Sequence, residues 1–488
     1  MQSLKLIVII TILITAVSLF AQWSEPRRIS GGGLYPCILV KGDTIHVVYT
    51  KLGGRAKIEY LRSIDQGITW SNGVVLNDTI NYNNAFFPEL LRNEHKLMIL
   101  WFENPYLGQL RNIAYEVSND AGRTWSVPQH IMNPGLENLY LFSAAYSDSV
   151  INVIFSRLFL SRMRFYSVRS TNFGQTWSSP LEIFDCEETS FSDMVAYGDT
   201  FHFVWTGNFE QGVNWELYYS RSVDEGLAWS DPETLSTPGG RGARHASLSI
   251  NETGKIGMCW TDFRYAPPGW IGDLFYAKSL DQGESWEGET QLTFIHQDEY
   301  SDIFYTGDTI HVVFERGFPT TKKICYTKST DDGATWEPEV EIDLDPADSH
   351  NPEVGYGNGR TYIFWCDERD NPDSAGYGGL YFSRCPPGDT VDIDETDNLP
   401  NSIGLTAYPN PFNSSISLYH SFKDTKGGEL TIYNIQGQSI ISFNLEGKEG
   451  IINWDARDAV GNKVCSGIYF ARASASQNSY TCKLLFLK

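Results

Sequence analysis

The chain has 488 residues, with 37 Lys and Arg against 60 Asp and Glu, a formal net charge of −23. That length exceeds one ordinary domain. An aromatic content of 14% with only 20% charged residues excludes a disordered chain. The acidity excludes a nucleic-acid binder, which needs a basic face, and suits a soluble exported protein.

The N-terminus reads Met1-Gln-Ser-Leu-Lys5, then an apolar run from Leu6 to Phe20 with small residues at Ala16, Ser18 and Ala21. A lone Lys, a short apolar core and small residues predict a signal peptide over residues 1–22. The run is at the short end for a permanent span, so no transmembrane segment is expected after cleavage. No Cys lies near the cleavage region, which argues against a lipoprotein. The eight cysteines are sparse and lack CxxC spacing, and most sit in apolar strand patterns. They read as small hydrophobes, and no metal or cofactor is expected.

One octapeptide returns along the chain. Ser63-Ile-Asp-Gln-Gly-Ile-Thr-Trp70 recurs around Asp120, Asn172, Asp224, Asp281 and Asp331, at steps of 55, 52, 52, 57 and 50 residues. Such a period is the length of one four-stranded blade. The box has the chemistry of a tight turn. Asp and Ser bond nearby backbone N–H groups, Gly supplies positive φ, and Trp starts the next strand. Each copy follows an alternating strand such as Leu274-Phe-Tyr-Ala-Lys278 and precedes another such as Trp125-Ser-Val-Pro-Gln-His-Ile131. Upstream hairpins turn at Gly-Asp, as in Gly42-Asp-Thr-Ile-His-Val-Val-Tyr49. A seventh unit, 352–384, lacks the box and its fourth strand. Trp23-Ser-Glu-Pro-Arg-Arg-Ile29 matches the missing strand. The expected fold is all-β: a seven-bladed β-propeller closed by the N-terminal strand, then a small immunoglobulin-like β-sandwich.

Residues 23–388 resemble the Asp-box (BNR-repeat) propellers, the group that includes sialidases. The resemblance implies that the box turns lie on one face and that ligands bind on the other, over the central channel. The box residues Asp65, Asp120, Asn172, Asp224, Asp281 and Asp331 are accordingly read as structural. Loops between blades place Arg241, Arg244, His245, His296, Asp298, Glu299, Asp348 and His350 on the ligand face. Loops between second and third strands add Glu103, Tyr106, Asp262, Arg264, Tyr265 and Trp270. They also add Glu315, Arg316, Phe318, Asp367, Glu368, Arg369 and Tyr377. Carboxylates, arginines and aromatics together suit sugar recognition. Trp260-Thr-Asp-Phe-Arg264 and Trp365-Cys-Asp-Glu-Arg369 recur at equivalent places, which favours an Asp–Arg bond that stiffens a corner. His46, His202 and His311 also recur at one position and read as packing histidines.

Sialidases bind a sugar carboxylate with three arginines, the first entering blade one. Here Leu34 holds that place beside Pro36. The expected function is therefore a secreted propeller that binds extracellular glycan or protein. The alternative is a glycoside hydrolase of exo-sialidase-like type, with Asp262, Asp298 and Asp367 as available acids.

An acidic, Pro- and Gly-containing linker spans 389–402. From 403 to 488 the motifs Tyr408-Pro-Asn-Pro-Phe-Asn413, Trp454-Asp-Ala-Arg-Asp458 and Ser466-Gly-Ile-Tyr469 open, cross and close a short all-β unit. They resemble the C-terminal type A sorting domain of type IX secretion cargo. The resemblance implies the type IX machinery as a partner and a location outside the cell or on the outer-membrane surface.

Overall fold

The computed structural model describes residues 23–385 and 404–486. Excepted are 54, 78–81, 106–110, 133–138, 210–214, 238–241, 268–270, 318–320, 344, 370–377, 409–411, 413–414, 422–427, 446–448 and 476–477. The expected signal peptide, the linker, Arg241, Trp270, Tyr106, Phe318 and Tyr377 lie outside the described residues. All regular structure among the described residues is β. No helix there is long and apolar enough to cross a membrane. The chain divides into two compact units, Met1–Asp389 and Thr390–Lys488.

The first unit holds seven four-stranded antiparallel sheets, consistent with a propeller. In the first sheet Gly33–Lys41, Thr44–Lys51, Lys57–Ser63 and Val74–Val75 follow in chain order. The next five repeat this order. The seventh takes Ser349–Gly357, Arg360–Asp367 and Gly379–Cys385 from the chain's later part, and Arg27–Gly31 from its start. In that pairing Arg27 lies opposite Phe382 and Gly31 opposite Gly379.

The outermost strands are shorter than the sequence suggests. They begin not at the box Trp but a few residues after it, in several sheets beyond a proline. Gln129–His130 follows Pro128, Leu181–Cys186 follows Pro180, and Glu233–Thr234 follows Pro232. Proline has no N–H to give the ladder, so pairing starts beyond it.

The box turns are built as their chemistry requires. Asp65 Oδ1 accepts the Thr69 N–H at 2.8 Å, and Ser63 Oγ accepts the Gly67 N–H at 2.8 Å. Asn172 keeps the geometry, accepting from Thr176 N–H at 2.9 Å and donating to the Thr176 hydroxyl at 2.8 Å. Ala228 keeps only the backbone bond, to Asp224 at 2.9 Å. Five of the six box Trp residues pack edge-on against an aromatic residue of the preceding sheet, while Trp229 meets Phe203 of its own. Trp125 meets Tyr60 at 4.9 Å, Trp286 meets Tyr219 at 5.2 Å and Trp336 meets Tyr276 at 5.1 Å. Trp70 of the first sheet meets Phe382 of the seventh at 5.4 Å.

The recurring histidines belong to the same seams. His46, His202 and His311 are buried, and each Nδ1 lies 2.6–2.7 Å from Tyr60, Tyr219 or Tyr326 Oη. Burial pulls their pKa values down to about 4, 3 and 3, so they are neutral. Gly283 of the next box closes against one such pair. Its φ is +75°, and a Cβ there would sit 1.8 Å from Tyr219 Oη. Gly283→Ala is expected to destabilise by about 2–4 kcal/mol, through left-handed strain and the displaced tyrosine. A denaturant midpoint unchanged from wild type would refute this.

The second unit has a three-stranded sheet, Gly404–Tyr408, Ile416–Ser421 and Glu449–Trp454. A four-stranded sheet is built from Gly428–Asn434, Ser439–Leu445, Gly467–Ala475 and Asn478–Phe486. Leu418, Leu430, Ile432, Trp454, Ala471 and Leu484 form one core between them. The eight cysteines of the chain are free thiols.

Candidate functional site

The innermost strand of every sheet carries a break in register at one place. The breaks fall between Leu34 and Cys37, Phe86 and Glu89, Leu139 and Leu141, and Ser190 and Ser192. They recur between Arg244 and Ser247, Glu299 and Asp302, and His350 and Glu353. Six of these bulges hold a non-glycine residue in left-handed backbone: Tyr35, Phe87, Phe191, His245, Tyr300 and Asn351. Such conformations cost about 1 kcal/mol or more each and concentrate at functional sites. Together with Tyr140 of the third sheet, these residues line a cavity of about 860 Å³.

The result is an aromatic collar. Tyr35 and Phe87 have ring centroids 4.4 Å apart. Phe191 meets His245 edge-on at 4.0 Å, and His245 stacks on Tyr300 at 3.9 Å. Phe87, Tyr140 and Phe191 are exposed to solvent at 41–44%. Burial, then Arg244 and Lys322, lower the His245 pKa to about 3, so its ring is neutral. Its Nδ1 is buried without a hydrogen-bond partner.

Two residues beyond the collar, the bulged strands place Glu89, Asp193, Asp302 and Glu353 on the wall of the same cavity. Three of them tie one sheet to the next. Glu89 accepts the Ala144 N–H at 2.6 Å, Asp193 the Leu248 N–H at 2.7 Å and Asp302 the Val354 N–H at 2.8 Å. The Ser247 hydroxyl lies 2.9 Å from Asp302 and 3.4 Å from Asp193. Loss of water raises all four pKa values, Asp302 to about 7.

Four of the eight acids expected on the ligand face, Glu103, Asp262, Asp298 and Asp367, occupy sheet corners. Asp262 is buried, accepts the Trp260 indole N–H at 3.2 Å and binds Arg264, which also binds Glu289. Asp367 accepts the Trp365 indole N–H at 3.2 Å and pairs with Arg369, which also binds Asp343. Glu103 does the same with Trp101 and His130, both at 3.0 Å. Asp298 is fully buried and takes two bonds from Arg316, at 2.7 and 3.0 Å. His296 is held at 2.7 Å by Asp273. Arg244 is exposed, its guanidinium 5.7 Å from the Trp215 ring and 5.6 Å from Phe263. Tyr265 is exposed.

Beside the collar Glu315 accepts from Lys322 Nζ at 2.8 Å and from the Asn351 N–H at 2.7 Å. Lys322 also reaches Glu299 at 3.0 Å and lies 5.5 Å from the Tyr300 ring centre. The structure thus brings His245, Glu299, Glu315 and His350 near one another, while Asp262, Asp298 and Asp367 are each bound to arginine.

Comparison with known proteins bears on each unit separately. Residues 406–487 match the family described as the secretion system C-terminal sorting domain. The tail is a type IX sorting domain. The protein is accordingly secreted or held at the outer-membrane surface, and the sorting domain is its handle for the secretion machinery. No curated protein matches the chain.

Among solved structures, the ulvan lyase of polysaccharide lyase family 25, bound to -[GlcA(1-4)Rha3S]-, aligns at TM-score 0.50 and 13% identity. The alignment covers 73% of this chain and 95% of the lyase. A protein of unknown function from Dyadobacter fermentans aligns at TM-score 0.47 and 14% identity, covering 74% of this chain and 99% of its own. The intramolecular trans-sialidase from Ruminococcus gnavus aligns at TM-score 0.43 and 13% identity, over 75% and 96%. At these identities the likeness is one of fold. The seven four-stranded sheets ahead of the sorting domain are consistent with a β-propeller, and their likeness in fold is to the polysaccharide lyase.

Proposed function

We propose that the protein is a seven-bladed, ring-closed propeller, with an immunoglobulin-like sorting sandwich, that binds an extracellular glycan at its aromatic collar. The carrying observation is the ring of strained bulges that turns Tyr35, Phe87, Tyr140, Phe191 and Tyr300 toward one cavity. Sugar rings present C–H faces that stack on aromatic faces, and their hydroxyls bond polar groups between them. The unpartnered Nδ1 of His245 is such a group. Arginine chemistry points the same way. Arg264, Arg316 and Arg369 are each bound to two carboxylates, so they are committed to the fold rather than to a sugar acid.

A glycan array with the purified protein tests this reading. Phe87→Ala combined with Phe191→Ala removes two exposed rings. It is expected to weaken binding of any captured glycan by tenfold or more, at about 0.5–1.5 kcal/mol per stacking contact. Undiminished affinity would remove the collar from the binding site.

One observation favours hydrolysis as a second reading. Asp302, poised at about 7, shares the Ser247 hydroxyl with Asp193. A carboxyl titrating there suits a general acid. Turnover of fluorogenic glycosides, a sialoside among them, with loss in Asp302→Asn would replace the binding reading. Absence of turnover across the panel would retire hydrolysis.

A further inference from the structure

At the seventh sheet, three side chains from the two ends of one strand pair converge without serving the glycan site. Asp348 ends the connection into the seventh sheet, His350 stands at the start of its first strand, and Glu368 follows its second strand. One ligand atom from each lies within 4.8 Å of the other two. We propose that Asp348, His350 and Glu368 form a binding site for one divalent transition-metal ion of the zinc class.

The backbone fixes both loops for this task. The Glu368 N–H donates to the Asp348 carbonyl at 3.0 Å, which clamps the two carboxylate-bearing segments together. Asp348 Oδ1 accepts the Lys322 N–H at 2.6 Å, which orients the carboxylate and leaves its second oxygen for an ion.

The imidazole is oriented as a ligand. His350 Nε2 faces the Glu368 carboxylate at 3.4 Å, the side where the ion would sit. Its other nitrogen, Nδ1, faces Glu315 at 3.8 Å. Glu315 is itself fixed by Lys322 and the Asn351 N–H. A carboxylate behind the far nitrogen of a ligating histidine sets its tautomer and raises its basicity. At 3.8 Å Glu315 acts on the ring as a nearby charge, and the imidazole among the donors separates the site from a group of surface acids alone.

Donor chemistry selects the metal. Calcium collects six to eight oxygens, and magnesium keeps mostly water. One imidazole nitrogen with two carboxylate oxygens suits zinc and its neighbours. Three protein ligands leave a coordination position open to water or to a hydroxyl. His350 precedes the collar residue Asn351 in the chain.

The test uses the full chain stripped with chelator and titrated with Zn²⁺ by calorimetry, with metal content measured after desalting. Wild type is expected to hold one Zn²⁺ per chain, and Glu368→Gln to weaken it at least tenfold. Asp348→Asn with Glu368→Gln is expected to abolish uptake. Glu315→Gln is expected to weaken binding severalfold while leaving the stoichiometry at one, the mark of an outer-layer role. Glu368 is 37% exposed, so its single substitution leaves the fold intact. No uptake by wild type, or equal uptake by Glu368→Gln, would overturn the site.

Discussion

A chain lacking residues 23–31 is expected to lose its cooperative thermal transition or to melt at least about 10 °C lower. Those residues are not a leader to the fold but part of its last sheet. Ser24 N–H donates to the Arg384 carbonyl at 2.9 Å, and Ser24 Oγ accepts the Arg384 N–H at 3.1 Å. Arg27 reaches across to the Ile68 carbonyl, at 2.7 Å, in the first box turn. Trp23 packs edge-on against Tyr326 of the sixth sheet at 5.0 Å, the place a box Trp takes elsewhere. Removal strips the Gly379–Cys385 strand of its outer partner and leaves it as a bare sheet edge. Each backbone bond lost contributes about 0.5–1.5 kcal/mol, and with the Trp23 packing the combined loss is a large fraction of a domain's stability. Differential scanning calorimetry of the truncated chain, with and without a 23–31 peptide supplied separately, measures it. A truncated chain that melts like wild type would show that the ring closes without this strand.

The second large effect depends on pH. Asp302→Asn is expected to stabilise the protein at pH 8.5 by on the order of 2–4 kcal/mol, and to change little at pH 4. In the folded state, burial raises the Asp302 pKa to about 7, with neighbouring Asp193 adding to the effect. In the unfolded chain the group titrates near 4. The folded protein therefore binds the extra proton between these values. Its stability rises as pH falls through 7 and levels off near 4. Above 7 the folded state carries a desolvated charge whose cost is fully present. Asparagine removes the charge yet can accept from Val354 N–H through its oxygen and donate to Ser247 through its nitrogen. Chemical denaturation at both pH values decides. An equal difference at the two would mean that the charge of Asp302 carries no folding cost.

The two kinds of feature differed in how legible they were. The box turn was readable because its bonds are local. Ser63, Asp65, Gly67 and Thr69 satisfy one another within a few residues, so their identities alone define the turn. The Asp–Arg corners were readable for the same reason, each pair lying two residues apart. Of the collar only His245 was, because a bulge is a relation between two strands, and no residue type encodes it alone. A signal was nevertheless present. Each collar residue stands seven positions ahead of its sheet's first hairpin turn, as Tyr35 before Gly42, Phe191 before Gly198 and Tyr300 before Gly307. In most sheets the residue there is aromatic. The channel carboxylates Glu89, Asp193, Asp302 and Glu353 follow two residues later, and they too were missed. Their charge reads as solvent-facing until the strands are bent around a common cavity.

Because none of its eight thiols is joined to another, the molecule needs no oxidant to mature and offers no crosslink for an extracellular reductant to cut. Most small exported modules withstand harsh surroundings through covalent staples. Here one sheet draws strands from both the start and the finish of the first unit, so its opening and closing segments hold each other without a covalent bond.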